Sequence, residues 1–266
     1  MKLFYTSLAF LFIGLLACGA SQESQTTQPE ENSTVAVVNP TLDTSILSIA
    51  YLTGKFEPAG HVGFVKIEAK YSDGSEMWLR KEAYEAFLKM HAAALKDGIN
   101  LRIISATRNF YRQKQIWEAK WTGTRKVEGK DLSVALPKAG ERAYKILEYS
   151  SMPGTSRHHW GTDIDLNNLE PSWFKSGEGA KIYAWLDAHA NEFGFCQPYT
   201  KKGEDRPFGY NEEHWHWSYV PISKPLTEFA RQNLTNDMIE GFKGAEAAGE
   251  IDVVGKYVLG VGGRCL

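Results

Sequence analysis

Ser156-Arg157-His158-His159-Trp160-Gly161-Thr162-Asp163-Ile164-Asp165-Leu166 is the most informative stretch of this chain. If it is extended, Asp163 and Asp165 share one face, because side chains alternate along a strand. Gly161 gives the backbone freedom to turn between His158 and Asp165. An imidazole and a carboxylate separated by such a turn can converge on one ion. The partner stretch is Glu212-Glu213-His214-Trp215-His216-Trp217-Ser218-Tyr219. As a strand it puts His214, His216 and Ser218 on one face and Trp215, Trp217 and Tyr219 on the other. Glu213 stands three residues before His216, so a regular strand would point it to the wrong face. It reaches the histidine side only from a turn or bulge ahead of the strand. The two stretches hold four of the seven histidines and four carboxylates. Imidazole and carboxylate suit zinc, and catalytic zinc commonly takes three protein ligands.

Outward from these stretches, apolar spacing predicts helices over 80–96, 110–121, 139–149 and 180–193, the last capped by Gly194. A further helical region runs over 224–242, after Pro221. Strands are predicted at 101–104 and 215–220. Helices and short strands mix without a βαβ rhythm, and there is no glycine-rich phosphate loop. The expected fold class is therefore α+β, one domain over residues 41–266.

The 266 residues are 43% hydrophobic and 23% charged, enough for one sizeable core. A net charge of -2 with no arginine stripe argues against nucleic acid as a partner. Residues 1–17 place one lysine before a short apolar run, which reads as a signal peptide, since roughly 20 residues are needed to span a bilayer. Ala17-Cys18 resembles a bacterial lipoprotein cleavage site, which makes Cys18 the expected lipidated residue; the alternative is a plain secretory signal. Residues 18–40, polar and poor in large apolar groups, read as a flexible linker. The expected location is the bacterial cell envelope, with a lipid anchor as the contact with the membrane. The two remaining cysteines, Cys196 and Cys265, are expected to form a disulfide in an oxidising compartment.

Ser156-x-His158-x-x-Gly161-x-Asp163-x-Asp165 resembles the SxHxxGxAxD signature of the VanY-type D-alanyl-D-alanine carboxypeptidases, the LAS group of zinc peptidases in peptidase family M15. Glu213-His214-Trp215-His216 resembles that family's ExxH motif, and Ser105 to Trp117 its SGYRSYxxQ segment. The three occur in the family's order. The resemblance implies a compact α+β fold, a central antiparallel sheet flanked by helices with one zinc in a cleft. It implies His158, Asp165 and His216 as zinc ligands and Glu213 as the catalytic base. It places Arg108 near the scissile carbonyl and Gln113 and Ser156 beside the substrate, a peptidoglycan stem peptide. The signature's alanine is Asp163 here. That carboxylate could orient a ligand, repel substrate or face water.

The activity so implied is removal of terminal D-alanine, with L,D-carboxypeptidase or endopeptidase action on the same zinc site as the nearest rival. A non-catalytic wall-binding envelope protein is the alternative of another class. Its sign would be loss of a ligand or of the base, and neither is lost. A monomer is expected. His159 and His214 are read as neighbours of the site, and His61, His91 and His189 as structural.

Overall fold

The computed structural model describes residues 44–266. The signal peptide, Cys18 and the linker lie outside the described residues. The strands are β1 (Phe64–Lys66), β2 (Trp78–Arg80), β3 (Ile103–Ser105), β4 (Asp163–Leu166), β5 (Phe195–Cys196) and β6 (His216–Tyr219). β1 and β2 pair with each other; the other four form an antiparallel sheet in the order β3-β4-β6-β5. The helices are α1 (Ile49–Leu52), α2 (Lys81–Lys96), α3 (Phe110–Trp121), α4 (Leu132–Ala135), α5 (Ala139–Ile146), α6 (Gly177–His189), α7 (Val220–Asn233) and α8 (Ala247–Ile251). This is the α+β class the sequence indicates.

β4 is buried along its whole length, so both of its faces are covered. Ile164 and Leu166 enter an apolar core with Phe87 and Met90 of α2, Ile182 and Leu186 of α6, and Trp217 of β6. The other face carries Asp163 and Asp165. Pairing fixes Asp163 opposite Ser218, Ile164 opposite Trp217 and Asp165 opposite His216. A one-residue slip would send the aspartates into the apolar core, so the hydrophobic pattern locks the register that assembles the polar face. A second core gathers Trp117, Trp121, Trp160, Leu226 and Ile251 around α3, α5, α7 and α8.

The long helices follow the sequence reading. In α3 the Asn109 side chain accepts the Arg112 N–H at 2.9 Å, a standard N-cap. α6 passes through a short 3-10 turn to Gly194 at φ +81°, the expected left-handed cap. Three boundaries differ. β3 starts at Ile103, because Asn167 engages the backbone on both sides of Arg102 and interrupts the ladder. The helix expected over 139–149 ends at Ile146 and leaves as a turn. The helix expected over 224–242 starts at Val220 and stops at Asn233. Pro221 sits in its first turn, where a missing N–H costs no hydrogen bond. Leu234 is extended and ends it.

Cys196 and Cys265 are bonded, with Cα atoms 5.6 Å apart and a sequence separation of 69. β5 alternates so that Phe195 enters the core under the sheet and Cys196 the second core, where Cys265 is also buried. The bridge ties the C-terminal segment to the edge strand beside β6. Among the described residues no helix is long and apolar enough to cross a membrane.

Closing a loop of this length is worth about 4 kcal/mol in the chain-entropy view. Cys196→Ser/Cys265→Ser is therefore expected to unfold at markedly lower urea concentration than the parent. Non-reducing peptide mapping of the parent should recover the two cysteines in one cross-linked fragment.

Candidate metal centre

His158 lies in a 3-10 turn, Arg157–Trp160, that α1 holds against the sheet. Tyr51 donates its hydroxyl to the Trp160 carbonyl at 2.8 Å, and the Trp160 indole donates to the Leu52 carbonyl at 3.1 Å. Gly161 ends the turn at φ +72°, and a Cβ there would stand 2.3 Å from the Phe64 ring. Both backbone and space demand glycine at the point where the chain swings from His158 into β4.

His158, Asp165 and His216 each present a ligand atom within 4.8 Å of the others. His158 Nδ1 lies 2.8 Å from the Ala106 carbonyl oxygen. A carbonyl only accepts, so Nδ1 carries the proton and Nε2 turns its lone pair inward, 3.3 Å from Asp165 Oδ1. His216 is oriented the opposite way. Its Nε2 is held by Asp163 Oδ1 at 2.9 Å, and its Nδ1 faces Glu213 Oε2 at 3.0 Å and Asp165 Oδ1 at 3.5 Å. His158 Nε2 and Asp165 Oδ1 are buried without a hydrogen-bond partner. Such groups cost about 1–3 kcal/mol each if left unpaired. Two inward imidazole nitrogens and a carboxylate oxygen are the donor set of a catalytic zinc, so the residues present fit that ion.

Asp163, whose role the sequence left open, faces no water. It is fully buried and accepts from Arg157 Nε at 3.2 Å, Thr162 Oγ1 at 2.5 Å and Ser218 Oγ at 3.0 Å, besides meeting His216. Burial alone would raise its pKa; the Arg157 guanidinium and His216 instead hold it well below the usual carboxylate range. Arg157 is itself fully buried, donating to Thr227 Oγ1 at 2.9 Å and Ser218 Oγ at 2.8 Å, and stacks on Trp160. Burial works against charge on His216, but its hydrogen bonds to Asp163 and Glu213 outweigh that and put its pKa at about 9. Three carboxylates thus surround one imidazole, a field that favours a cation. Glu213 is pushed up by burial, with His216 pulling the other way.

Of the remaining predicted side chains, Arg108, Gln113 and Glu213 line a cleft of about 460 Å³, and Ser156 lies buried outside that lining. Arg108 donates to Ser105 Oγ at 2.6 Å and Gln113 Oε1 at 3.1 Å, and its Nη1 stands 3.5 Å from Asp165 Oδ2. Gln113 donates in turn to the Ser151 carbonyl at 2.8 Å. Ser156 Oγ is buried with no hydrogen-bond partner. Glu213 precedes a turn at 214–215, as its reach requires. Its N–H donates to the Tyr199 carbonyl at 2.9 Å and its carbonyl accepts from Gln197 Nε2 at 3.0 Å. That turn corrects one expectation. His214 does not share the face of His216 and Ser218; it rolls away to pack on Phe174 and Tyr183.

His159 is a buried structural residue. Its Nε2 accepts the Gly154 N–H at 3.0 Å, so its Nδ1 must donate to the Arg108 carbonyl. Both nitrogens are committed to the neutral ring, and burial, chiefly, lowers its pKa to about 3. Arg157 and Ser218 were the functional neighbours that sequence reasoning did not assign. Ser218 was legible, two residues after His216 on the same strand face. Arg157 had no signal, because nothing in sequence places a charge in the core.

Two measurements test these assignments. Asp163→Asn leaves Arg157 buried without its counter-charge, so unfolding of the metal-free protein is expected to become about 3–5 kcal/mol easier. A competitive zinc titration should show affinity falling about 10–100-fold, since His216 loses the group that orients it. For His159, the unfolded chain takes up a proton below pH ~6.5 while the folded state does not. Stability is therefore full above that pH and falls as pH drops towards the folded pKa, with a slope of about 1.4 kcal/mol per pH unit. The stability difference between the parent and His159→Gln, followed by urea unfolding at several pH values, should carry that slope.

The sequence model of the VanY family, described as D-alanyl-D-alanine carboxypeptidase, matches residues 76–222, more than half of the chain. The putative carboxypeptidase YodJ of Bacillus subtilis (strain 168) is 30% identical over 176 residues, which cover 64% of this chain and 56% of YodJ. An uncharacterized Haemophilus influenzae protein is 35% identical over 81 residues, covering 29% of this chain and 56% of its own. The chain thus spans little more than half the length of these two relatives. Among solved structures, the LdcB LD-carboxypeptidase aligns at TM-score 0.48 and 24% identity over 77% of this chain and 78% of its own. VanYB in complex with D-alanine-D-alanine aligns at TM-score 0.45 and 24% identity over 66% and 87%. With the family match spanning the Arg108 segment, the His158–Asp165 turn and strand, and the Glu213–His216 turn, this chain belongs to the VanY family.

Proposed function

We propose that this protein is a zinc-dependent D-alanyl-D-alanine carboxypeptidase that hydrolyses the terminal D-alanine of peptidoglycan stem peptides. It acts as a monomer with one zinc, exported to the bacterial cell envelope and anchored by lipid on Cys18. The observation that carries this reading is the convergence of His158 Nε2, Asp165 Oδ1 and His216 Nδ1 beside the Glu213 carboxylate. Family membership supports the reaction class, and the leader composition supports the location.

His158, Asp165 and His216 would hold the ion. Bound zinc supplies Lewis acidity, which lowers the pKa of a water to about 7. Glu213 takes a proton from the attacking water and later returns one to the departing amine. Burial raises its pKa against the pull of His216, with the Asp165 charge adding to the rise, which makes it a better base than a solvated glutamate. Arg108, held by Ser105 and Gln113, offers its guanidinium to the carbonyl oxygen as that oxygen becomes negative. Ser156, the other expected substrate neighbour, keeps a buried hydroxyl with no hydrogen-bond partner.

Glu213→Ala should bind zinc with parental stoichiometry yet lose about 10²–10⁴ in kcat. Metal analysis and peptide hydrolysis measure the two separately, and unchanged turnover would remove Glu213 from the base role. Incubation with defined muropeptides should release D-alanine from pentapeptide stems. Release from tetrapeptides alone would replace the D,D assignment by L,D.

A further inference from the structure

The cleft has a second charged wall that the chemistry above does not use. Lys120 lies seven residues after Gln113 on α3, two helical turns on, so both side chains face the cleft. Its half-buried ammonium hydrogen-bonds the Ser150 hydroxyl, and among the described residues no carboxylate lies within ion-pairing distance of it. Arg125 and Lys126 line the same cleft from the loop after α3, and both are exposed.

The carboxylates nearby are largely occupied. Glu128 and Glu148 both clasp Lys145, at 2.7 and 2.8 Å. Asp131 accepts from the Ser133 N–H and hydroxyl at 2.9 and 2.6 Å, with the Lys126 charge a lesser influence. Glu170 lines the cleft from the segment after β4, and Glu213 is engaged with His216. Burial, followed by the charges of Arg125 and Arg108, depresses Lys120 to about 8, with only Glu213 opposing. A desolvated ammonium beside two guanidiniums, with a neutral hydroxyl as its hydrogen-bond partner, is stabilised by an incoming anion.

We propose that Lys120, with Arg125 beside it, forms an anion subsite that receives a carboxylate of the peptide substrate. The inference rests on the peptidase reading of the site. A stem peptide offers that group from two sources, its free C-terminus or an acidic side chain upstream of the scissile bond. The subsite selects acidic peptides over neutral ones and acts on binding, leaving the Glu213 and Arg108 chemistry untouched.

The test is calorimetric binding to zinc-loaded full-length protein in the Glu213→Ala background, where cleavage does not intervene. Three matched peptides serve as probes: the acid, its C-terminal amide, and a version with the acidic side chain converted to its carboxamide. Lys120→Met should weaken the acid by about tenfold or more, and Lys120→Arg should restore most of that. Neutralising the recognised carboxylate should cost at least that factor with Lys120 present and only the smaller Arg125 factor in Lys120→Met. The peptide showing that coupling identifies the source. Arg125→Gln, at an exposed position where folding is not at risk, should weaken the same peptide by a smaller factor. Equal weakening of all three peptides, or none, overturns the subsite. Muropeptide hydrolysis by the parent separates the two ideas. Coupling without release of any amino acid keeps the subsite and sinks the peptidase reading; release without coupling does the reverse.

Discussion

Asp163 has no access to solvent, yet it remains an anion because Arg157, Thr162, Ser218 and His216 close around its two oxygens. Burying a lone carboxylate would cost several kcal/mol, so these partners are a condition of the fold. The same contact fixes the site. With Asp163 on Nε2, the His216 ring can offer only Nδ1 to the cleft. His158 is fixed in the complementary sense by the Ala106 carbonyl, which leaves Nε2 free. A metal centre needs its ligands oriented before the ion arrives, and here backbone and buried charge do the orienting.

The sheet explains why such a constellation is affordable in a small domain. β4 and β6 are each only four residues long, yet each sends one face into the apolar core under α2 and α6. Burial of Ile164, Leu166 and Trp217 fixes the register, and the register delivers Asp163, Asp165, His216 and Ser218 to one surface. The polar face therefore inherits its precision from the apolar one. Glu213, outside the ladder, needs other support. Tyr199 and Gln197 hold its backbone, and both follow Cys196, so the disulfide-pinned edge of the sheet also steadies the carboxylate.

Much of this was legible in the sequence. Period-2 alternation predicted the faces of Asp163, Asp165, His216 and Ser218, and the three-residue offset of Glu213 required the turn now found at 214–215. Helical periodicity placed α2, α3 and α6 to within a few residues, because those helices bury one continuous stripe. The paired cysteines were readable once Cys18 of the leader was set aside and an oxidising compartment expected. Boundaries set by competing interactions were not readable. Asn167 trims β3, and Pro221 starts α7 early. His214 was grouped with His216 because a strand rule was extended through residues that turn.

What the sequence alone determined is the inventory: an α+β chain, the ligand types, a glutamate three residues ahead of His216, the disulfide pair and the order of the motifs. Those depend on local periodicity and residue chemistry, which neighbours in the chain already carry. Tertiary structure alone decided which nitrogen of each histidine faces inward, that Arg157 and Asp163 neutralise each other in the core, and that Lys120 stands in the cleft without a carboxylate partner among the described residues. Each of these is a contact between residues remote in sequence or in different environments. Its energy depends on distance and desolvation, and neither exists until the chain has packed.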